Sequence, residues 1–335
     1  MKGNYIIVTT VVVLVVFIVG ISFLGKPATA PTENLQNIAT STSELNLSST
    51  TKPVSGSSSV SKNSSRVVFS VSDDSVISEN VQSIIFTINE ISAFNTRTGW
   101  VTVSNVPKTF DLLSLHNSAR NEIFADSNLP VGTYSQIRFT LGKVSVVPKG
   151  GLKSVEAKLL TQVLKLDTKI LVEKAKISAV SLDFNSASAL HNTIDGNFAF
   201  FPVVRLTTQH GIKTVQILAK NVELFNGTTD FDQTWGVDEN GTLKINFSIP
   251  STTKIEFLGK VIHLIPVDEN PMNIKINAQG AVDIALKNSY ITSAISVKTI
   301  TQNGKQVWQV TGTKGTSAFV YVILDTITGS VVEIK

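Results

Sequence analysis

The stretch Ser135-Gln136-Ile137-Arg138-Phe139-Thr140-Leu141 decides the fold. Ile137, Phe139 and Leu141 alternate with Gln136, Arg138 and Thr140, and only an extended strand brings every second side chain to one face. Upstream, Pro130-Val131-Gly132 reads as a turn feeding this strand, with Gly132 supplying dihedrals that side chains disfavour. Downstream, Lys143-Val144-Ser145-Val146-Val147 repeats the pattern. The same period opens at Val67-Val68-Phe69-Ser70-Val71 and returns at Ile84–Ile88, Trp100–Val103, Val163–Leu166 and Ile177–Phe184. Short β-rich runs parted by Asn, Gly, Pro and Ser predict an antiparallel β-sandwich over residues 66–208, not βαβ units. One short helix is expected within it, Ser118 to Ser127, just before Leu129-Pro130.

Residues 209–270 are also β-like and read as a bridging segment. Leu243 to Ile249 alternates, with Asp238-Glu239-Asn240-Gly241 as the hairpin turn leading into it. The last part, residues 271–335, changes character. Asn277 to Lys287 reads as an amphipathic helix with Ala281, Ile284, Ala285 and Leu286 inward. Strands at Ile295–Ile300, Gln306–Thr311 and Ala318–Asp325 follow, the first two joined by an Asn303-Gly304 turn. The whole is therefore mainly β, with a small α+β unit at the end.

Ahead of the sandwich lies a different pattern. Tyr5 to Gly25 is an uncharged apolar run of 21 residues. As a helix it matches the roughly 30 Å hydrocarbon core of a bilayer. Residues 1–26 are thus expected to be a transmembrane anchor. A cleaved secretory signal is the rival, since Ala28-Thr29-Ala30 is a small-x-small site, but Pro31 would follow the cut and the apolar run exceeds the usual length. A pilin-type leader cut after Gly3 would want a Glu soon after, and none is there. Residues 27–65 form a stalk: from Thr40 to Ser65, 15 of 26 residues are Ser or Thr. Such a tract buries too little apolar surface to offset its conformational entropy. The expected topology is a single-pass cell-membrane protein with its body extracytoplasmic.

Composition excludes several function classes. With no cysteine, disulfides, thiol nucleophiles, thiolate metal sites and a lipidated cysteine are ruled out. The net charge of +4 comes from dispersed lysines, eight of them between Lys143 and Lys176, which fit a solvated sheet face; nucleic acid is not an expected partner. His116, His191, His210 and His263 lack metal-ligand spacing, and Asp230, Asp232, Asp238 and Glu239 lack that of a calcium loop. No nucleophile elbow or phosphate loop occurs. No catalytic residue, cofactor or metal is therefore assigned, and the chain is expected not to be an enzyme. Sequons at Asn46, Asn63, Asn226, Asn240 and Asn246 are N-glycosylation candidates if the host modifies surface proteins. Asp111 and Asp183 read as capping carboxylates at strand ends. Each is also a candidate for a framework ion pair with Arg138 or Arg205.

Two resemblances add to this reading. Lys108-Thr109-Phe110-Asp111-Leu112-Leu113-Ser114-Leu115 and Leu129-Pro130-Val131-Gly132-Thr133-Tyr134 stand in order with Leu182-Asp183-Phe184-Asn185 and Phe201-Pro202-Val203-Val204-Arg205. Together these resemble the prokaryotic domain of unknown function 4382, over about residues 66–208. That resemblance implies an exported β-sandwich and no activity; Ser72-Asp73-Asp74-Ser75 departs from the usual Asp-Ala-Pro-like turn. The tail Leu324-Asp325-Thr326-Ile327-Thr328-Gly329, with the helix and Trp308, resembles PepSY domains over about residues 272–335. It implies regulation of an exported peptidase, with the strand edge and Trp308 as the expected partner contact. The leading expectation is a membrane-tethered binding or structural module for a surface protein or glycan. Peptidase regulation is the alternative.

Overall fold

The computed structural model describes residues 64–75, 80–266, 274–315 and 318–335, all within one compact unit, Gly56–Lys335. The expected anchor at Tyr5 to Gly25, nearly all of the stalk, and the sequons at Asn46 and Asn63 lie outside these residues. Among the described residues, no helix is long and apolar enough to cross a membrane.

In chain order the first part runs β1 (Ser64–Ser72), β2 (Val81–Asn95), β3 (Gly99–Ser104), β4 (Lys108–Asp111), α1 (Leu112–Ser118), β5 (Glu122–Pro130), β6 (Gly132–Pro148), β7 (Val155–Leu159), β8 (Val163–Val172) and β9 (Ile177–Phe184). It continues with α2 (Ser186–Ala189), β10 (Leu190–Asn192), β11 (Phe198–Phe200), β12 (Val203–Ile212), β13 (Thr214–Leu218), β14 (Asn221–Phe225), β15 (Thr228–Val237) and β16 (Leu243–Ile245). The last part is β17 (Lys254–Leu258), β18 (Val261–Ile265), α3 (Ala278–Lys287), β19 (Ser293–Gln302), β20 (Lys305–Thr313), β21 (Phe319–Asp325) and β22 (Val331–Ile334).

Two sheets form the sandwich. One has the order β13-β14-β5-β1-β9-β12-β15-β16; the other has β10-β11-β7-β6-β2-β3, with β4 also on β2 and β8 also on β6. Each contains one parallel pair, β1 with β9 and β7 with β11, so the sheets are mixed where purely antiparallel ones were expected. The deciding stretch lies in β6, where Ile137, Phe139 and Leu141 are buried. Gly142 does not end the strand, and the two expected strands are one. Phe184 of the first sheet meets Phe86 and Phe139 of the second at 4.5 and 6.1 Å between ring centres. Aromatic pairs at such separations add to plain burial.

The helix lies earlier than the sequence suggested. Asp111 caps α1, whose Leu112, Leu113 and Leu115 enter the core, and Ala119 ends it in the left-handed conformation (φ 48). Residues 122–130 are strand, because pairing with β1 buries Phe124, Ala125 and Leu129. Long-range pairing overrode local preference there.

The bridging segment divides between two neighbours. Hairpin β13–β14 and strands β15 and β16 extend the first sandwich sheet, whereas β17 and β18 open a third sheet of order β17-β18-β19-β20-β21-β22. β18 and β19 run parallel, joined through α3, whose Ala278, Ala281, Val282 and Ala285 pack on Val297, Trp308, Val310 and Leu324. Leu286, expected inward, is 37% exposed. The alternate residues Ile262 and Leu264 join Ala199, Phe201, Ile249 and Ile255 in a core between this sheet and the sandwich.

Candidate functional site

The residues singled out from sequence go to separate places. Asp111 closes β4 and accepts from Ser83 Oγ at 2.9 Å and from the Ser114 amide at 3.4 Å. Asp183 accepts from the Asp74 amide at 2.9 Å and from Ser72 Oγ at 3.1 Å. Burial, with Asp74 and Asp73 nearby, pushes its carboxyl above the usual range. Both carboxylates therefore act as local caps. The framework ion pairs expected of them do not form among the described residues. Arg205 lies opposite Asp183 in register but forks onto Asp232, at 2.7 and 2.6 Å. Arg138 has left the carboxylates for an aromatic ring.

Trp308 is not a partner contact. It is 3% exposed, its Nε1 donates to the Ile276 carbonyl at 2.7 Å, and it packs beneath α3. A large indole on a sheet face covered by a helix is core. Of the sequons described, Asn226 is exposed in the turn between β14 and β15. Asn246 is exposed and accepts from Gln233 Nε2 at 2.9 Å. Asn240 accepts from Ser296 Oγ at 2.8 Å, which holds its side chain against the third sheet. The four acidic residues each have a separate basic partner: Asp230 with His210, Asp232 with Arg205, Asp238 with Lys244 and Glu239 with Lys298. No acid or histidine group is arranged to hold a metal among the described residues.

What the structure assembles instead is an aromatic and cationic patch on the outer face of the second sheet. Register aligns Trp100, Phe94, Gln136 and Asp167 in one row across β3, β2, β6 and β8; Thr102, Ser92, Arg138 and Lys165 form the next. Trp100 leans on Phe94 at 5.4 Å. The Arg138 guanidinium sits 4.6 Å above the indole, and Lys165 Nζ is 5.8 Å from it. The ring quadrupole attracts both cations and orders long side chains that would otherwise be mobile. The two nearby acids are engaged, Asp167 with Gln136 at 2.8 Å and Glu90 with Ser92 at 2.7 Å. Neither Arg138 nor Lys165 has a carboxylate partner among the described residues. The sequence signal for this patch was present in the alternation, but register alone brings Trp100 next to Arg138.

Two hollows accompany it. One, of about 340 Å³, is lined by Arg97, Thr98, Pro130, Val131 and Lys174 at the strand ends beside Trp100. The other, of about 290 Å³, lies between the sandwich and the third sheet against Phe247, Ile249, Pro250, Leu264 and Pro266. The Glu239–Lys298 pair, at 2.6 Å, stands at its side and clasps the two parts together.

No curated protein and no solved structure matches this chain. Residues 64–202 match the model of one family, described as Domain of unknown function (DUF4382), in agreement with the resemblance read from the motifs between Lys108 and Arg205.

Proposed function

We propose that this chain is a membrane-anchored, extracytoplasmic binding module without catalytic activity, and that its recognition surface is the outer face of the second sheet around Trp100. The single observation that carries the reading is the pair Arg138 and Lys165, ordered against an indole on an open face and in no ion pair among the described residues, with the nearby Asp167 and Glu90 hydrogen-bonded to Gln136 and Ser92. Cations held this way cost little further ordering on binding, which favours affinity. The apolar run at Tyr5 to Gly25 and the Ser/Thr-rich stalk support the tether. The partner is a component of the cell surface, glycan or protein.

A capture experiment tests this. The full chain in detergent should retain a component of cell-surface extract, and Arg138→Ala with Lys165→Ala should lose it without a change in melting temperature. Equal capture by the variant would move the recognition surface elsewhere. Turnover of any substrate by the purified protein would end the non-catalytic reading.

The second reading assigns residues 271–335 to a PepSY-like regulator of an exported peptidase. The edge strand β22 favours it, because Val332 and Ile334 are about half exposed on the last strand of the third sheet. Such an edge can accept an extended partner segment. In this reading the contact is β22, not Trp308. Lack of any effect of the full chain on co-expressed surface peptidases would exclude it.

A further inference from the structure

The hollow beside Trp100 is built, not incidental. Asn95, 5% exposed, holds the β2–β3 turn: its side-chain oxygen accepts from the Arg97 amide at 2.8 Å, and its Nδ2 donates to the Thr133 carbonyl at 2.9 Å. Gly132, at φ +154, lets the β5–β6 turn approach; a Cβ there would lie 2.6 Å from Asn95 Nδ2 and 3.2 Å from Arg97 Nη2. Arg97 Nη2 donates to the Val131 carbonyl, which anchors one side of the guanidinium and leaves its remaining donors available. Lys174 enters from the turn after β8. The nearest acid in sequence, Glu173, is already held by Lys176 at 2.7 Å.

Two cations thus line one hollow, and neither has a carboxylate partner among the described residues. Thr98 adds a hydroxyl, and Pro130 and Val131 supply an apolar wall. The volume of about 340 Å³ falls within the usual range for small-ligand clefts. A planar guanidinium anchored on one side suits a planar carboxylate, and a lysine suits its charge. Only two residues, Thr98 and Gly99, separate Arg97 from Trp100, so their backbones lie within about 10 Å. The Arg97 turn joins β2 and β3, the two strands that carry Phe94 and Trp100, so a ligand seated in the hollow is within reach of the face that carries Arg138 and Lys165. An extended polymer with repeated negative charge meets both places.

We infer that the Arg97–Lys174 hollow binds the carboxylate of an acidic, uronic-acid-type polysaccharide whose chain runs across the Trp100 face. The inference rests on the reading of that face as the recognition surface, and names its ligand class.

The test uses the full chain in detergent with four probes: polygalacturonate, dextran sulfate, neutral dextran and a single-stranded oligonucleotide. Wild type should prefer polygalacturonate. Arg97→Ala with Lys174→Ala should weaken that binding about tenfold or more and flatten its salt dependence. Arg97→Lys should recover only part of it, because the fork is lost. An unchanged melting temperature shows that the variants fold. If the double variant binds normally while Arg138→Ala with Lys165→Ala does not, the hollow is excluded and the face stands. If dextran sulfate or the oligonucleotide binds as well as polygalacturonate, carboxylate recognition is overturned. If wild type captures a cell-surface component through Arg138 and Lys165 but binds no polygalacturonate, the ligand class is wrong and the face again stands. If neither pair of substitutions affects any capture, both readings fall.

Discussion

His191 shows how one buried residue sets a pH response. It is 1% exposed, packs edge-on to Phe201 at 5.3 Å, and neither ring nitrogen completes a hydrogen bond. Burial lowers its pKa from 6.5 to about 4, only weakly opposed by the backbone near Thr253 and Ser188. The unfolded chain therefore takes up a proton that the folded chain refuses. Stability is complete above pH 6.5 and falls as the pH drops toward 4. At about 1.4 kcal/mol per pH unit, the fall is at most roughly 3 kcal/mol. Urea midpoints measured from pH 7 to 4 should show it, and His191→Phe should remove that part of the slope. An identical slope in the variant would place the acid sensitivity elsewhere.

At the scale of the element, the β15–β16 hairpin is the most exacting. Asp238, buried at its turn, accepts from the amides of Asn240 and Thr242, both at 2.9 Å, and pairs with Lys244 at 2.7 Å. Gly236 lies where the chain after β16 folds back; an added Cβ would stand 1.9 Å from the Phe247 carbonyl oxygen. That neighbour is backbone and cannot rotate away. Gly236→Ala should therefore cost about 2–3 kcal/mol, as overpacking does. Gly241 in the turn meets nothing within 4 Å but sits at φ +77, so Gly241→Ala should cost only about 1 kcal/mol of backbone strain. Urea denaturation of the two variants gives the comparison. Equal losses would mean that Phe247 yields.

For the whole molecule, the family match and the folding unit do not coincide. The match ends at Pro202, yet β12 and β15, which follow it, pair in succession onto β9 and bring Val204, Leu206, Trp235 and Val237 into the sandwich core. A fragment of residues 64–202 would leave β9 as a long apolar edge, the kind that aggregates. It should fail to unfold cooperatively, whereas residues 64–250 should give a monomer with one transition. Size exclusion and urea unfolding of both fragments decide it. A cooperative 64–202 monomer would show that the later strands are dispensable.

The sequence alone determined the β class, the positions of most strands, the place of α3, and the turns at Gly132, Asn240-Gly241 and Asn303-Gly304. These depend on side-chain period and local dihedrals, which neighbours in the chain dictate. Asp111 and Asp183 as caps were legible for the same reason. Tertiary structure decided the rest. It moved the helix to Leu112–Ser118, divided residues 209–270 between two sheets, buried Trp308 under α3, and gave Arg205 to Asp232. It also set Arg138 against Trp100 and brought Arg97 and Lys174 to one hollow. Each of these depends on which strands lie side by side and in what register. Register is a property of the assembled sheet, because a slip of one residue turns every side chain to the opposite face.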